Sequence, residues 1–417
     1  MPSRRRPLLL AVVVTALIAV AHLRPAPALL DAATGLPLSG VRLEVPWGHL
    51  VLTPWAALGD IAACSSLAQA FSLLGLLAAF LAPLRWALGH DHDWFAFGPA
   101  TRALALHALA CVTLLAWGVL WPRPPARLAI DDPDLMAVDF HSHTNASWDG
   151  RSWFDPAANL RWHERAGFAA AFVTDHNRMD GAISARRHSD NSWAAGRREL
   201  AAGLEGEELS LHGAHVLLLG PDRPVAPQAY PGLEGLRLLL KDAGPLFGAV
   251  TVMSLPEYYQ HHEKRLETLA DWGAGGFEIV AASPRGLGVP AAFRRDVVEL
   301  CRRRGLFVTG GSDNHGYGST NCVWNLVRVP GWRALDPAQR SRAVLAELRQ
   351  GGFSAVRVLA RARCLARPRS VTEAWLDAPR ALWWALRSWS LAQALSAVAW
   401  VWAAAAVCSV ASNNKVV

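Results

Sequence analysis

The spacing of apolar and polar positions divides the chain into two kinds of territory. Residues 7–23, PLLLAVVVTALIAVAHL, form an unbroken apolar run directly after Arg4-Arg5-Arg6. Further runs cover about 61–84, 103–121 and 391–410. No charged residue stands between Ile61 and Pro83 or between Ala103 and Leu120. A span needs roughly 20 apolar residues, so these stretches predict membrane helices. Trp86, Trp117 and Trp121 flank the middle runs, and Trp383, Trp384 and Trp389 precede the last, as aromatic residues do at headgroup level. The first run is short and is followed by Ala26-Pro27-Ala28, so it reads equally as a signal peptide or as a first span.

Between 127 and about 367 the pattern changes. Short apolar runs at 135–140, 169–174, 215–219, 248–253, 277–281 and 306–309 alternate with longer amphipathic stretches. That alternation predicts β-α units and a parallel sheet or barrel. One predicted helix, 155–166, opens with Asp155 at the cap and Pro156 in its first turn. The organisation expected is therefore a signal peptide or first membrane helix over 1–28 and a membrane region over 29–126. A soluble domain over 127–370 follows, then a last membrane helix with a short tail over 371–417. With the basic N-terminus inside, the soluble domain falls on the extracytoplasmic side. Arg24 and Arg42 in one loop offset Arg85 and Arg102 in the next, so the charge bias is weak.

Composition agrees with this hybrid: 52% of residues are hydrophobic and only 18% charged. The net charge of +7 fits a domain near anionic headgroups. No basic arm with interleaved aromatics occurs, so nucleic acid is not expected as a stable partner. Arg302-Arg303-Arg304 is read as a helix end, where cations suit the dipole. Cys64, Cys111, Cys301, Cys322, Cys364 and Cys408 form no CxxC pair, so a cysteine zinc site is unsupported.

The chemistry lies where the predicted strands end. The first runs into His141-Ser142-His143, the second into Thr174-Asp175-His176, and the last through Gly310-Gly311 into Ser312-Asp313-Asn314-His315. Residues two apart in an extended strand face the same way, so His141 and His143 can address one ion, as can Asp313 and His315. Asp149 follows in Trp148-Asp149-Gly150. Glu205, Glu207 and Glu208 offer bridging carboxylates, with His212 and His215 just beyond them. Imidazole and carboxylate donors together suit zinc, manganese or iron.

This order of motifs resembles the polymerase and histidinol phosphatase (PHP) family of metal-dependent phosphoesterases, over roughly 139–315. Asp139-Phe-His-Ser-His-Thr144 is similar to its first motif, Phe172-Val-Thr-Asp-His-Asn177 to its second, and Gly311-Ser-Asp-Asn-His315 to its last. Gly206-Glu-Glu-Leu-Ser210 resembles the Gly-x-Glu-Ile-Ser segment, which selects Glu208, and His215-Val-Leu-Leu-Leu-Gly220 resembles the stretch carrying a further ligand histidine. The resemblance implies an α/β fold with a distorted (β/α)7 TIM-like barrel, here flanked by transmembrane helices. It implies two or three divalent ions (Zn, Mn or Fe) held by His141, His143, Asp149, His176, Glu208, His215, Asp313 and His315. Asp175 and His176 are the expected catalytic pair, with Asp175 orienting an imidazole. The activity implied is hydrolysis of a phosphorylated small molecule or nucleotide by a membrane-tethered domain.

One position departs from the family. Its usual His-Pro dipeptide is Leu255-Pro256 here, and leucine binds no metal. Either Glu257, His261 or His262 substitutes from the neighbouring loop, or one ion position is weakened. The second reading is accordingly a membrane-tethered metal-binding sensor with little turnover. A third is an amidohydrolase, whose barrels also open with HxH but add a later strand-end lysine that does not stand out here.

Overall fold

The computed structural model describes residues 5–63, 65, 67–80, 126–197, 200–283, 285–317, 322–365 and 371–411, with scattered positions between 105 and 120. The chain divides into two compact units. One comprises Met1–Ala28, Val45–Trp121 and Pro368–Val417; the other comprises Leu29–Glu44 and Pro122–Arg367.

The first unit is helical. Arg5–His22 and Leu391–Val410 are each long and apolar enough to cross a membrane, by length and composition. They pack through Ile18 against Ala394 and Ala397, and Trp402 Nε1 donates to Thr15 Oγ1 at 3.1 Å. The run at 61–84, expected as one span, carries the shorter helices Thr53–Ala63 and Leu67–Ala79. Leu67–Ala79 packs on Val371–Ser388 through Leu73, Ala378 and Ala381. Gln69 Nε2 donates to Asp377 Oδ2 at 2.8 Å in the same helix pair. About half of the 103–121 run, and with it Cys64, Arg85, Trp86, Arg102, Cys111 and Trp121, lies outside the described residues.

The second unit is α/β. Its strands are β1 (Leu29–Asp31), β2 (Val41–Glu44), β3 (Arg127–Ile130), β4 (Leu135–Ser142), β5 (Ala170–Val173) and β6 (Ala202–Leu211). They continue with β7 (Ala214–Leu219), β8 (Val250–Met253), β9 (Gly276–Ala281), β10 (Phe307–Gly311), β11 (Val323–Arg328) and β12 (Val356–Arg361). Ten of them form one sheet in the order β1-β12-β11-β4-β5-β6-β7-β8-β9-β10, while β2 and β3 pair separately. The helix Pro156–Ala166 starts where expected, because Asp155 accepts from Ala158 N at 2.7 Å, and Gly167 ends it at φ 88°. Arg302, Arg303 and Arg304 do form the last turn of a helix, Ala291–Arg304.

The sheet is not purely parallel, as the alternation had implied. β4-β5-β6 and β8-β9-β10 pair in parallel, but β6-β7 and β7-β8 are antiparallel. The reason is a two-residue hairpin loop: His212 and Gly213 both adopt positive φ, 45° and 72°, the geometry of the tight turn that matches strand twist.

The sheet curls until its far end meets its middle. Beyond β10, Asp313 N donates to His141 O at 2.9 Å and His143 N donates to Asn314 O at 3.0 Å, tying that end to the end of β4. Lower down, fully buried Asn325 on β11 does the same with its side chain. Its Oδ1 accepts from Gly310 N at 2.7 Å, and its Nδ2 donates to Gly310 O at 2.7 Å and Val138 O at 2.9 Å. Gly310 has no room for a side chain, since a Cβ there would lie 2.2 Å from Val323 Cγ1. Asn325→Ala strands three buried backbone groups and is expected to destabilise this unit by about 2–4 kcal/mol. Thermal unfolding of the purified chain checks this; an unchanged midpoint would count against Asn325 as the closing residue.

Candidate metal centre

The curl brings the C-terminal ends of β4, β5 and β10 beside the β6-β7 hairpin. On β4, Ser142 turns away and donates to Phe172 O at 2.9 Å, so His141 and His143 both face inward. His176 follows β5, and its backbone bridges to Glu208 in mid-β6. In the hairpin register Ser210 lies opposite His215 and Glu208 opposite Leu217, which puts Glu208 and His215 on one face. Asp313 follows β10 at φ 48° and Asn177 follows His176 at φ 55°, a left-handed conformation that Asp and Asn tolerate better than most residues. Asn177 is held there as its N donates to Glu208 O at 2.8 Å and its Oδ1 accepts from Ser210 N at 3.0 Å.

Four donor atoms converge first: His141 Nε2, His143 Nε2, Glu208 Oε2 and Asp313 Oδ1. The two Nε2 atoms are 3.1 Å apart, each lies 3.3 Å from Glu208 Oε2, and Asp313 Oδ1 lies 3.5 and 3.4 Å from them. Ligands at about 2.0–2.1 Å from a tetrahedral ion are separated by about 3.3–3.4 Å, so these spacings suit an ion held by His141, His143 and Asp313 with Glu208 beside both rings. The protons also fit. Ser147 Oγ donates to Asp175 Oδ1 at 3.1 Å, so it accepts from His143 Nδ1 at 3.0 Å and leaves His143 Nε2 a bare lone pair. Glu278 Oε1 lies 3.1 Å from His141 Nδ1 and fixes that ring in the same sense. Two lone pairs and two carboxylates facing each other in a buried space call for a cation.

Two further groups adjoin the first. Asp149 Oδ2 lies 3.5 Å from His176 Nε2 and 3.3 Å from His315 Nε2. Glu208 turns its Oε2 to His176 Nδ1 at 3.0 Å and its Oε1 to His215 Nδ1 at 2.9 Å, so this carboxylate is shared between groups. Both Glu208 oxygens, His176 Nδ1, Asp149 Oδ1 and His315 Nε2 are buried without a hydrogen-bond partner. Buried polar atoms seldom go unpaired, and these converge on one space. The donor set therefore fits divalent ions at up to three adjoining positions.

Behind these side chains stands a second layer. Asp175 Oδ1 accepts from Thr144 N and Oδ2 from Thr144 Oγ1, both at 2.7 Å, so with Ser147 it reaches the ring of His143 rather than that of its neighbour His176. Gly181 packs against that carboxylate so closely that a Cβ would lie 1.9 Å from Oδ2. Asp139 Oδ1 accepts from His141 N and Ser312 N, locking β4 to the β10 end, and its Oδ2 lies 2.9 Å from His163 Nε2. Glu205 instead pairs with Arg186 at 3.2 Å, and Glu207 Oε2 accepts from Val225 N on the opposite side of β6. Burial pushes the Glu207 carboxyl up to about 7. Cys301, Cys322 and Cys364 are buried.

All the expected ligands thus lie in one cluster. Glu278, Ser147 and His163 are members that the sequence reading missed. For Glu278 a signal existed: it is the one charge inside the apolar run 277–281. Leu255 is buried, and its N donates to Glu278 Oε2 at 3.0 Å.

The electrostatics make the cluster hold protons when no cation is present. Burial opposes charge on His141, but Glu208, Glu278 and Asp313 outweigh it and raise the ring well above its ordinary value. His176 is likewise opposed by burial yet carried up to about 10 by Asp149 and Glu208, and His215 and His315 are raised too. Burial and the charge of His315 hold His143 down at about 3. A raised ring keeps its proton below its folded value, so an incoming ion must displace it. Metal affinity is therefore expected to rise with pH, by about tenfold per unit for each proton displaced. Competition titrations at pH 6.5 and 8 test this; equal affinities would contradict it.

No family profile and no curated protein sequence matches the chain. Among solved structures it is similar to a candidate metal-dependent phosphoesterase from Bifidobacterium adolescentis, at 17% identity over 44% of this chain and 88% of that one, with a TM-score of 0.34. It is also similar to an amidohydrolase from Chromobacterium violaceum with bound sulfate and no metal. There the identity is 18% over 49% of this chain and 99% of that one, with a TM-score of 0.32. Likeness at that level is too slight to assign an activity, so the functional reading rests on the cluster's own geometry.

Proposed function

We propose that the second unit is a PHP-like phosphoesterase that hydrolyses a phosphorylated small molecule or nucleotide, and that apolar helices of the first unit tether it, multi-pass, to a membrane with the site on the extracytoplasmic side. The observation that carries the catalytic reading is the four-atom group at 3.1–3.5 Å spacing, with both imidazole tautomers set to present lone pairs. Seven consecutive strands, β4 to β10, with their ends tied together, support the distorted (β/α)7 barrel.

Divalent ions held there would polarise a phosphoryl oxygen and supply a nucleophile near neutral pH. The chain's own residues do the rest. Glu278 and Ser147 keep the first two imidazoles in a single tautomer, and Glu208 joins neighbouring positions through its two oxygens. Asp149 holds His176 and His315 together at the outer edge. Trp148, beside Asp149 and 84% exposed, stacks on His176 at 6.1 Å and offers a flat apolar surface at the rim.

Turnover of an aryl phosphate monoester, an aryl phosphodiester and a cyclic amide by the purified, Mn²⁺- or Zn²⁺-loaded chain tests the proposal. Hydrolysis of a phosphate ester alone is expected, and cleavage of the amide alone would move the assignment to an amidohydrolase. Bound metal with no turnover favours the second reading, a membrane-tethered sensor, for which Leu255 is the specific observation.

A further inference from the structure

We infer that Glu257 is a ligand of the ion shared by Glu208 and His215, which makes that position oxygen-rich. The inference rests on the metal centre proposed above. Glu208 Oε1 and His215 Nδ1 lie 2.9 Å apart, and Oε1 is buried with no hydrogen-bond partner. His176 also belongs to this group, through Nδ1 at 3.0 Å from Glu208 Oε2, but its Nε2 faces Asp149 at 3.5 Å; with that ring serving the neighbouring position, Glu208 and His215 are one donor short of the three protein ligands that catalytic positions ordinarily take.

The chain brings a third donor to this edge. β8 pairs with β7, and directly beyond it Ser254 N donates to His215 O at 2.9 Å. That contact anchors the first turn of the helix Leu255–His262 next to His215. Glu257 sits in this turn with its side chain 13% exposed, its Oε2 3.8 Å from His215 Nδ1 and accepting from Ser254 Oγ at 3.2 Å. Its Oε1 faces the exposed Arg285 at 3.9 Å, the outer limit of an ion pair.

The two neighbouring imidazoles are turned elsewhere. His262 Nε2 donates to His212 O at 3.0 Å, and His261 packs against Gly213, where a Cβ would lie 3.1 Å from its Cγ. Leu255 N is engaged by Glu278. Glu257 is therefore the member of this helix whose carboxylate faces His215 and can close on the ion by a side-chain movement.

The donor set has a chemical consequence. His141, His143, Glu208 and Asp313 offer two nitrogens and two oxygens, whereas Glu208, Glu257 and His215 offer two oxygens and a single nitrogen. Carboxylate-rich sites suit Mn²⁺ and Mg²⁺, and imidazole-rich sites suit Zn²⁺. The Glu257 position is thus the Mn²⁺-preferring one of the centre.

The test uses the full chain, stripped with a chelator and reloaded with Mn²⁺ or Zn²⁺, with bound ions counted by elemental analysis and Mn²⁺ affinity read by electron paramagnetic resonance. Glu257→Gln is expected to lose one ion per chain while keeping the ion at His141 and His143. Glu257→His is expected to keep the count and shift that position toward Zn²⁺. Arg285→Ala should leave count and preference unchanged. Circular dichroism confirms that each variant is folded.

A folded Glu257→Gln variant with the wild-type ion count and Mn²⁺ affinity would overturn the inference and leave Glu257 as the partner of Arg285 alone. Loss of an ion from Arg285→Ala but not from Glu257→Gln would overturn it as well. A wild-type chain that binds no ion would overturn the whole centre, an outcome distinct from failure at Glu257.

Discussion

Glu208→Gln is expected to abolish turnover, by at least about a thousandfold or roughly 4 kcal/mol in the barrier, and to empty more than one ion position. The expectation follows from where its two oxygens point. Oε2 is 3.3 Å from both His141 Nε2 and His143 Nε2 and 3.0 Å from His176 Nδ1, while Oε1 is 2.9 Å from His215 Nδ1. Glutamine keeps the shape but removes the charge and turns an N–H₂ toward imidazole lone pairs. The same charge supports protons on His141, His176 and His215. In metal-free Glu208→Gln their titrations, followed by NMR, are expected to move down. A variant with wild-type ion content and turnover would show that Glu208 is not the shared ligand.

Glu278→Ala is expected to weaken metal binding about a hundredfold although Glu278 belongs to none of the three ligand groups. Its Oε1 holds His141 Nδ1 at 3.1 Å and its Oε2 accepts from Leu255 N at 3.0 Å, so one fully buried carboxylate fixes a ligand's tautomer and the start of the helix that carries Glu257. A Cβ at Gly311 would lie 2.0 Å from Glu278 Oε1, so the fold reserves this space. The variant separates orientation from structure: Glu278→Gln, whose single amide oxygen can still accept from His141 Nδ1 but whose NH₂ then faces Leu255 N, should recover part of the affinity. Equal loss in both would point to the charge, and no loss in either would remove Glu278 from the centre.

The parts of this architecture visible in the sequence are those written as local patterns. β4, β5 and β7 to β10 are short apolar runs, and the histidines and aspartates at their ends have the spacing of two that an extended strand requires. β6 was not legible, because Ala202–Leu211 carries Glu205, Glu207 and Glu208, and glutamate is a poor strand former outside a sheet that already holds it. The consequence was a parallel sheet expected where a hairpin turns at His212-Gly213. β11 and β12 escaped for another reason: their role is to close the curl, and the contacts of Asn325 to Val138 and Gly310 span 187 and 15 positions.

At the site, the ligand types were legible and their partners were not. Asp175 stands next to His176 in the chain but works through Ser147 on His143, a relation set by the approach of β4 and β5. Among the three candidates to act in place of the usual histidine, sequence spacing could not choose. The anchoring of Ser254 to His215 distinguishes Glu257, because it fixes which side of the helix faces the ligands.

The most direct test of the centre is metal content and phosphate-ester turnover of the purified chain beside a His141→Ala, His143→Ala double variant, each assayed with Mn²⁺ and with Zn²⁺. These two rings supply two of the four atoms of the first group and both of its fixed tautomers. Stoichiometric metal and turnover are expected in the wild-type chain, with loss of turnover and of at least one ion in a double variant that stays folded. Wild-type protein that is folded and binds no metal, or a double variant that hydrolyses the ester as fast as wild type, would contradict it.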